Sequence, residues 1–187
     1  MARTRLRTAA LAVIVPSALA GCAPGADNEP DHSPQAQAVQ SAQAPAWTAG
    51  IVDRPQPDAP AATLVAVRTG SHDGFDRTVF EFGERLPGYH VEYIDSPVRK
   101  CGSGQVTQMA GDGWLEVRMS PAKTHTREGQ STIAERERTP DLPVLSELEL
   151  TCDFEGVVTW VFGVESPNRY QVRELSSPPR LVIDIKH

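Results

Sequence analysis

Glu155-Gly156-Val157-Val158-Thr159-Trp160-Val161-Phe162-Gly163-Val164 is where the fold declares itself. A turn signal opens the stretch. The apolar run behind it is rich in β-branched and aromatic residues and shows no polar face, which reads as a strand buried on both sides and therefore central in a sheet. Trp160 and Phe162 are its large core side chains. Just upstream, Leu148, Leu150 and Cys152 alternate with Glu147, Glu149 and Thr151, the period of a half-buried strand.

The same grammar extends outward. Ala62 to Thr69 and Phe75 to Phe82 are rich in Val, Thr and Phe and are separated by the turn-forming Gly70-Ser71-His72-Asp73-Gly74. Pro87-Gly88 leads into Tyr89 to Ile94, with Tyr89, Val91 and Tyr93 opposite His90 and Glu92. Gln105 to Ala110 and Trp114 to Met119 flank Gly111-Asp112-Gly113, which predicts a hairpin. In its second strand Leu115, Val117 and Met119 face the core and Trp114, Glu116 and Arg118 face away. Tyr170 to Leu175 and Arg180 to Lys186 complete about nine short strands. Pro121 to Pro143 is polar and reads as a long exposed loop; Thr132 and Glu135 have capping spacing, but no apolar stripe supports a helix. The expectation is an all-β domain over residues 61–187, an antiparallel β-sandwich or flattened barrel.

The chain begins differently. Arg3, Arg5 and Arg7 precede an apolar run from Ala9 to Ala20, the layout of a secretory signal and too short to span a membrane. Leu19-Ala20-Gly21-Cys22 resembles a bacterial lipobox, in which the signal is cut before the cysteine and the thiol carries diacylglycerol. The expectation is a signal peptide over residues 1–21, an acylated Cys22 and an anchor on the extracytoplasmic face of the cell membrane. Residues 22–60 are Ala-, Pro-, Gln- and Ser-rich and read as a disordered tether in which Trp47 is an isolated aromatic.

Of 187 residues, 18 are basic and 24 acidic, a formal charge of −6, and loss of the three signal arginines leaves about −9. That balance argues against nucleic acid as a partner and against a polybasic lipid contact, so the membrane is expected to be reached through acyl chains on Cys22. Acylation also resolves the odd cysteine count. Cys101 and Cys152 remain as the intramolecular pair, closing a loop of about 50 residues and contributing roughly 4 kcal/mol in the chain-entropy account. Neither has a second Cys or His at ligand spacing, so no metal site is expected, and no cofactor.

Asp76-Arg77-Thr78-Val79-Phe80-Glu81-Phe82 and Pro179-Arg180-Leu181-Val182-Ile183-Asp184-Ile185 echo one another. Within each strand Arg and acid share a face but lie roughly 13 Å apart, so a close ion pair must reach another strand. A covered Asp184 needs a cation, and Arg77 is the expected partner. These segments, with the stretches around Tyr89, Gly102-Ser103-Gly104 and Val157 to Val164, resemble the AMIN-like domain of bacterial, especially actinobacterial, surface lipoproteins, related to the AMIN domains of cell-wall amidases and secretins. The resemblance implies a β-sandwich of two small sheets and a non-catalytic role in binding or localising to the peptidoglycan-containing envelope. It carries over no catalytic residue.

Nor does the sequence supply one. Ser71, His72 and Asp73 are neighbours whose side chains diverge, unlike a hydrolase triad. His72, Asp73 and Asp76 match no oxygen-ligand loop, and Gly102-Ser103-Gly104 reads as a tight turn. His90 and His125 stand alone in polar surroundings. Glycan recognition wants an exposed aromatic plane beside polar groups, and Trp114 with Glu116 and Arg118 is the candidate; Tyr89, Tyr93 and Tyr170 read as core residues with hydroxyls at the rim. The expected partner is a cell-wall glycan or, alternatively, an envelope protein such as a wall hydrolase, with a lipid carrier as a further reading that needs an apolar cavity in the sandwich.

Overall fold

The computed structural model describes residues 45–187. The expected signal segment, Cys22 and the expected tether up to residue 44 lie outside the described residues. The strands are β1 (Val52–Arg54), β2 (Ala62–His72), β3 (Phe75–Phe82), β4 (Gly88–Ile94), β5 (Gly113–Ser120), β6 (Ala122–Lys123), β7 (Glu137–Arg138), β8 (Leu145–Phe154), β9 (Val157–Val164), β10 (Tyr170–Ser176) and β11 (Pro179–Lys186). They form a six-stranded sheet in the order β1-β4-β5-β9-β8-β7 and a five-stranded sheet in the order β10-β11-β3-β2-β6. Every pairing is antiparallel except β2 with the two-residue β6. The domain is all-β and sandwich-like.

β9 lies inside the larger sheet, between β5 and β8. Its Trp160 and Phe162 are fully buried and meet Phe80 of the smaller sheet at ring-centroid distances of 6.2 and 6.0 Å. Leu115, Val117 and Met119 of β5, Leu148 of β8 and Leu181, Ile183 and Ile185 of β11 fill the same core. Burying each such side chain stabilises by about 1.5–3 kcal/mol, so the alternation on each strand fixes which face turns inward.

Three stretches depart from expectation. Gln105 to Ala110 is not a strand and Gly111-Asp112-Gly113 is not a hairpin turn: β5 pairs with β4 and β9, and residues 95–112 cross the outer face of the larger sheet as a strap. The strap's donors go to carboxylates instead of a ladder, with Ala110 N donating to Glu147 at 2.7 Å and Thr107 Oγ1 to Glu149 at 2.7 Å. Gly111 turns the strap at φ +92°, against the backbone of Val164, where a Cβ has no room.

Residues 121–143 are not wholly an exposed loop. They contain β6 and β7, and Ile133 is 3% exposed. The segment flanks β2, with Thr132 Oγ1 donating to Leu64 O at 2.5 Å and Arg138 Nη1 to Val67 O at 2.6 Å, so backbone acceptors of β2 are met by side chains.

Residues 45–60, expected as tether, belong to the folded part. β1 pairs with β4, Thr48 bridges Tyr170, and Trp47 packs on Phe75 with ring centroids 6.1 Å apart. The segment is poor in apolar residues, but it needs no core of its own because it docks on one formed by others.

Candidate functional site

The outer face of the larger sheet is built from rungs that the strand register sets. Asp53 of β1, His90 of β4, Arg118 of β5 and Thr159 of β9 form one rung, followed by Cys152 of β8. Glu92, Glu116, Val161 and Glu149 form the next, and Ile94, Trp114, Gly163 and Glu147 the third. The strap lies over the β8 and β9 side of this face. It is anchored by the Cys101–Cys152 disulfide, with Cα atoms 5.1 Å apart, and by the ion pair of Lys100 with Glu149. Such a bond belongs to an oxidising, extracytoplasmic compartment.

Glu147 and Glu149, expected on a solvated face, are buried at 6% and 3% exposure because the strap covers them. The register offers a second reason for close approach. Gly163 faces outward, and a Cβ there would overlap the carbonyl oxygen of Ala110. Glycine in the middle of an apolar strand was the sequence signal for a backbone lying on the sheet.

Two clefts open along this face, one between β1 and the ends of β4 and β5 and one beside the strap. One, of about 240 Å³, is lined by Asp53, Pro55, Gln56, Tyr89, His90 and Arg118, among others. A second, of about 290 Å³, is lined by Lys100, Cys101, Glu116, Arg118, Cys152 and Thr159, among others. Arg118 lines both, and the two clefts flank it as a trough. Among the described residues neither Arg118 nor Glu116 has a side-chain hydrogen bond or ion pair. Burial pushes the half-buried Glu116 carboxyl up; Arg118 and His90 pull it down and Glu92, directly opposite, adds to the rise. His90 bridges Asp53 at 3.0 Å and Glu92 at 3.1 Å, and the hydrogen bond with Asp53 holds its pKa above the usual value despite partial burial. It is therefore a bonded residue at the trough wall, a role invisible in a sequence where its partners lie 37 residues away and two along.

Trp114 shares the face with Glu116 and Arg118, as the alternation requires, but lines a different cleft. That cleft holds about 210 Å³ and is formed with Ser96, Pro97, Val98, Thr107 and Met109 of the strap, among others. The three residues therefore do not line one groove, and Trp114 is half-buried beside the strap.

On the smaller sheet, Arg77 Nε donates to Asp184 Oδ1 at 2.6 Å and Arg77 Nη2 to Oδ2 at 3.0 Å. Arg173 and Gln171 of β10 add bonds of 3.0 and 2.9 Å to the same carboxylate. Burial alone would raise the pKa of Asp184, but these hydrogen bonds and the two guanidinium charges hold it below the usual carboxylate range. The echoed segments are thus antiparallel neighbours, and their register sets Arg77 opposite Asp184 and Arg180 opposite Glu81.

The remaining polar groups are structural. Asp76 points inward, accepting from the backbone N–H groups of Val144 and Leu145 at 2.7 and 3.0 Å and contacting His187 at 3.0 Å. His72 stacks on Phe75 at 4.9 Å. The hydroxyls of Tyr89, Tyr93 and Tyr170 donate to Glu174, Asn168 O and Val91 O, and burial pushes the Tyr170 phenol up to about 12. Gly102 and Gly104, at φ +70° and +67°, make a tight turn in the strap.

No curated protein and no solved structure matches the chain. A family model for the AMIN-like domain matches residues 62–187, the span from β2 onward, and the chain belongs to the AMIN-like domain family of non-catalytic modules.

Proposed function

We propose that the protein is a membrane-anchored envelope lipoprotein, held by acylated Cys22, whose AMIN-like domain binds peptidoglycan or another cell-wall polymer through the trough around Arg118. The observation that carries this reading is the trough itself: a guanidinium and a half-buried carboxylate, both unpartnered among the described residues, on a face crossed by a strap that the Cys101–Cys152 disulfide anchors. Free guanidinium donors suit the carboxylates of wall peptides and the oxygens of wall glycans, and Glu116 suits an ammonium, hydroxyl or amide donor. The envelope association of related AMIN domains supports the same assignment.

A protein partner is the second reading, supported by β10. It forms the edge of the smaller sheet, and beyond the Thr48 to Tyr170 bridge its outer side is unpaired among the described residues. A lipid carrier has less support, because the space between the sheets is filled by Phe80, Phe82, Trp160, Phe162 and Tyr170.

Retention of the full chain on purified wall sacculi tests the proposal. Retention should exceed that of an acidic control of equal net charge and fall about tenfold in Arg118→Ala, the scale of a lost charge-assisted hydrogen bond. Retention no better than the control would sink it. Crosslinking in intact cells that yields a discrete protein adduct would instead favour the second reading.

A further inference from the structure

The other outer face of the sandwich has the opposite charge. Register and alternation place Arg68, Arg77, Arg173, Arg180 and Lys186 on the outside of the smaller sheet, against Glu81 and Asp184. Both acids are already committed to that face. Asp184, fully buried, is shared between Arg77 and Arg173, and Glu81 pairs with Arg68 at 2.6 Å. Arg180 and Lys186 have no carboxylate partner among the described residues. The net charge of −6 argues against a polybasic lipid contact for the chain as a whole, but the strand register gathers a surplus of positive charge on this one side.

The face is broad and open. Its outward residues form four rungs, from His72, Phe75 and Lys186 at one end to Ala66, Glu81, Arg180 and Leu175 at the other. At strand spacing they cover about 20 Å by about 14 Å. Nothing lies within 4 Å of where a Cβ of Gly70 would project from this face. One corner is aromatic: Trp47 and His72 pack on Phe75, and the Arg77 guanidinium lies over the same ring at 5.0 Å. At this corner the chain leading from Cys22 enters the domain at Pro45.

We propose that this face docks on anionic phospholipid headgroups. Charge complementarity selects an anionic partner, and a face four strands wide with no covering segment suits a surface better than a threaded polymer. Aromatic rings beside arginine and lysine are the residue types that settle at a membrane interface, and phosphates are met well by guanidinium forks. Docking this way leaves the trough on the opposite face turned towards the wall. The wall-binding proposal does not depend on it.

The test compares binding of the full chain to phosphatidylcholine vesicles with and without phosphatidylglycerol. Binding through the N-terminal segment is common to all variants, so the ratio of the two affinities isolates the face. Wild type should prefer phosphatidylglycerol, and Arg180→Glu and Lys186→Glu should each lower the preference about fivefold or more. Arg118→Glu makes the same change in net charge on the opposite face and should leave it within about twofold. Circular dichroism melts confirm that each variant is folded. An equal loss in Arg118→Glu, or no phosphatidylglycerol preference in wild type, overturns the proposal. Retention by soluble poly(glycerol phosphate) without vesicle preference, lost in Arg180→Glu, would give the face to a wall polyanion and also overturn it.

Discussion

The two outer faces of this sandwich handle buried charge in different ways. On the larger sheet, Glu147 and Glu149 are covered by a segment of chain that brings its own donors and a disulfide. On the smaller sheet, Asp184 is covered by side chains of adjacent strands, two arginines and a glutamine, and the surface stays open. The first arrangement leaves a cleft beside the strap, lined by Lys100 and Cys101 together with Glu116 and Arg118. The second creates an open cationic surface with the counter-ion already in place. A buried carboxylate needs partners in either case, and the source of those partners decides whether the face becomes a trough or a platform.

The largest expected effect separates the faces at the disulfide. Replacing both Cys101 and Cys152 by Ala should lower stability by about 2–5 kcal/mol, read from urea unfolding, because a long loop regains its freedom in the unfolded chain. The loss should be accompanied by exposure of Glu147 and Glu149, whereas hydrogen exchange in β3, β10 and β11 should change only as global stability does.

Next comes Asp184→Ala. It strands Arg77 and Arg173, but their side chains are 26% and 32% exposed, so solvent screens part of the penalty. A loss of about 2 kcal/mol is expected by denaturant unfolding. Its pH dependence follows in sign. The folded pKa of Asp184 is depressed, so its contribution is complete above the unfolded value of about 3.9 and disappears as pH falls through the folded value. Wild type should therefore lose stability towards Asp184→Ala below about pH 4. A difference that persists unchanged into strong acid would show that ionisation is not the source.

A matched pair of glycines compares covered and open surface directly. Gly163→Ala drives a Cβ into the backbone carbonyl of Ala110 and should cost about 1–3 kcal/mol, or lift the strap. Gly70→Ala projects into open space and should stay within about 0.5 kcal/mol of wild type. Thermal melts of the two suffice, and equal effects would mean that the strap does not rest on the sheet.

The smallest effect is the opposite pH sign at Glu116. Its folded pKa is raised, so the protonated form favours folding and that contribution is lost as pH rises through the folded value. Glu116→Gln should be neutral to stabilising at pH 7, with any gain vanishing in acid; destabilisation at neutral pH would mean that the carboxylate has a partner.

Much of this molecule was legible because alternation is a local property. The apolar run of β9, the inward residues of β5 and the reach from Arg77 to another strand all follow from period two. What was not legible depended on distance. Gln105 to Ala110 carries a strand-like composition, yet its donors meet Glu147 and Glu149, about 40 residues on. Residues 45–60 look like tether because their apolar surface is supplied by β4, Phe75 and Tyr170. At the candidate site the facing of Trp114, Glu116 and Arg118 was readable, whereas their division between clefts was not, since the strap makes that division. Gly163 was the overlooked local clue.

The division of labour between the faces is the central claim, and a reciprocal measurement tests it most directly. Sacculus retention and phosphatidylglycerol preference would be measured side by side for Arg118→Glu and Arg180→Glu in the full chain, two variants with the same change in net charge. The expected result is crossed: Arg118→Glu loses the wall and keeps the lipid preference, and Arg180→Glu does the reverse. Parallel losses in both assays would contradict the account, because net charge rather than either face would then govern binding.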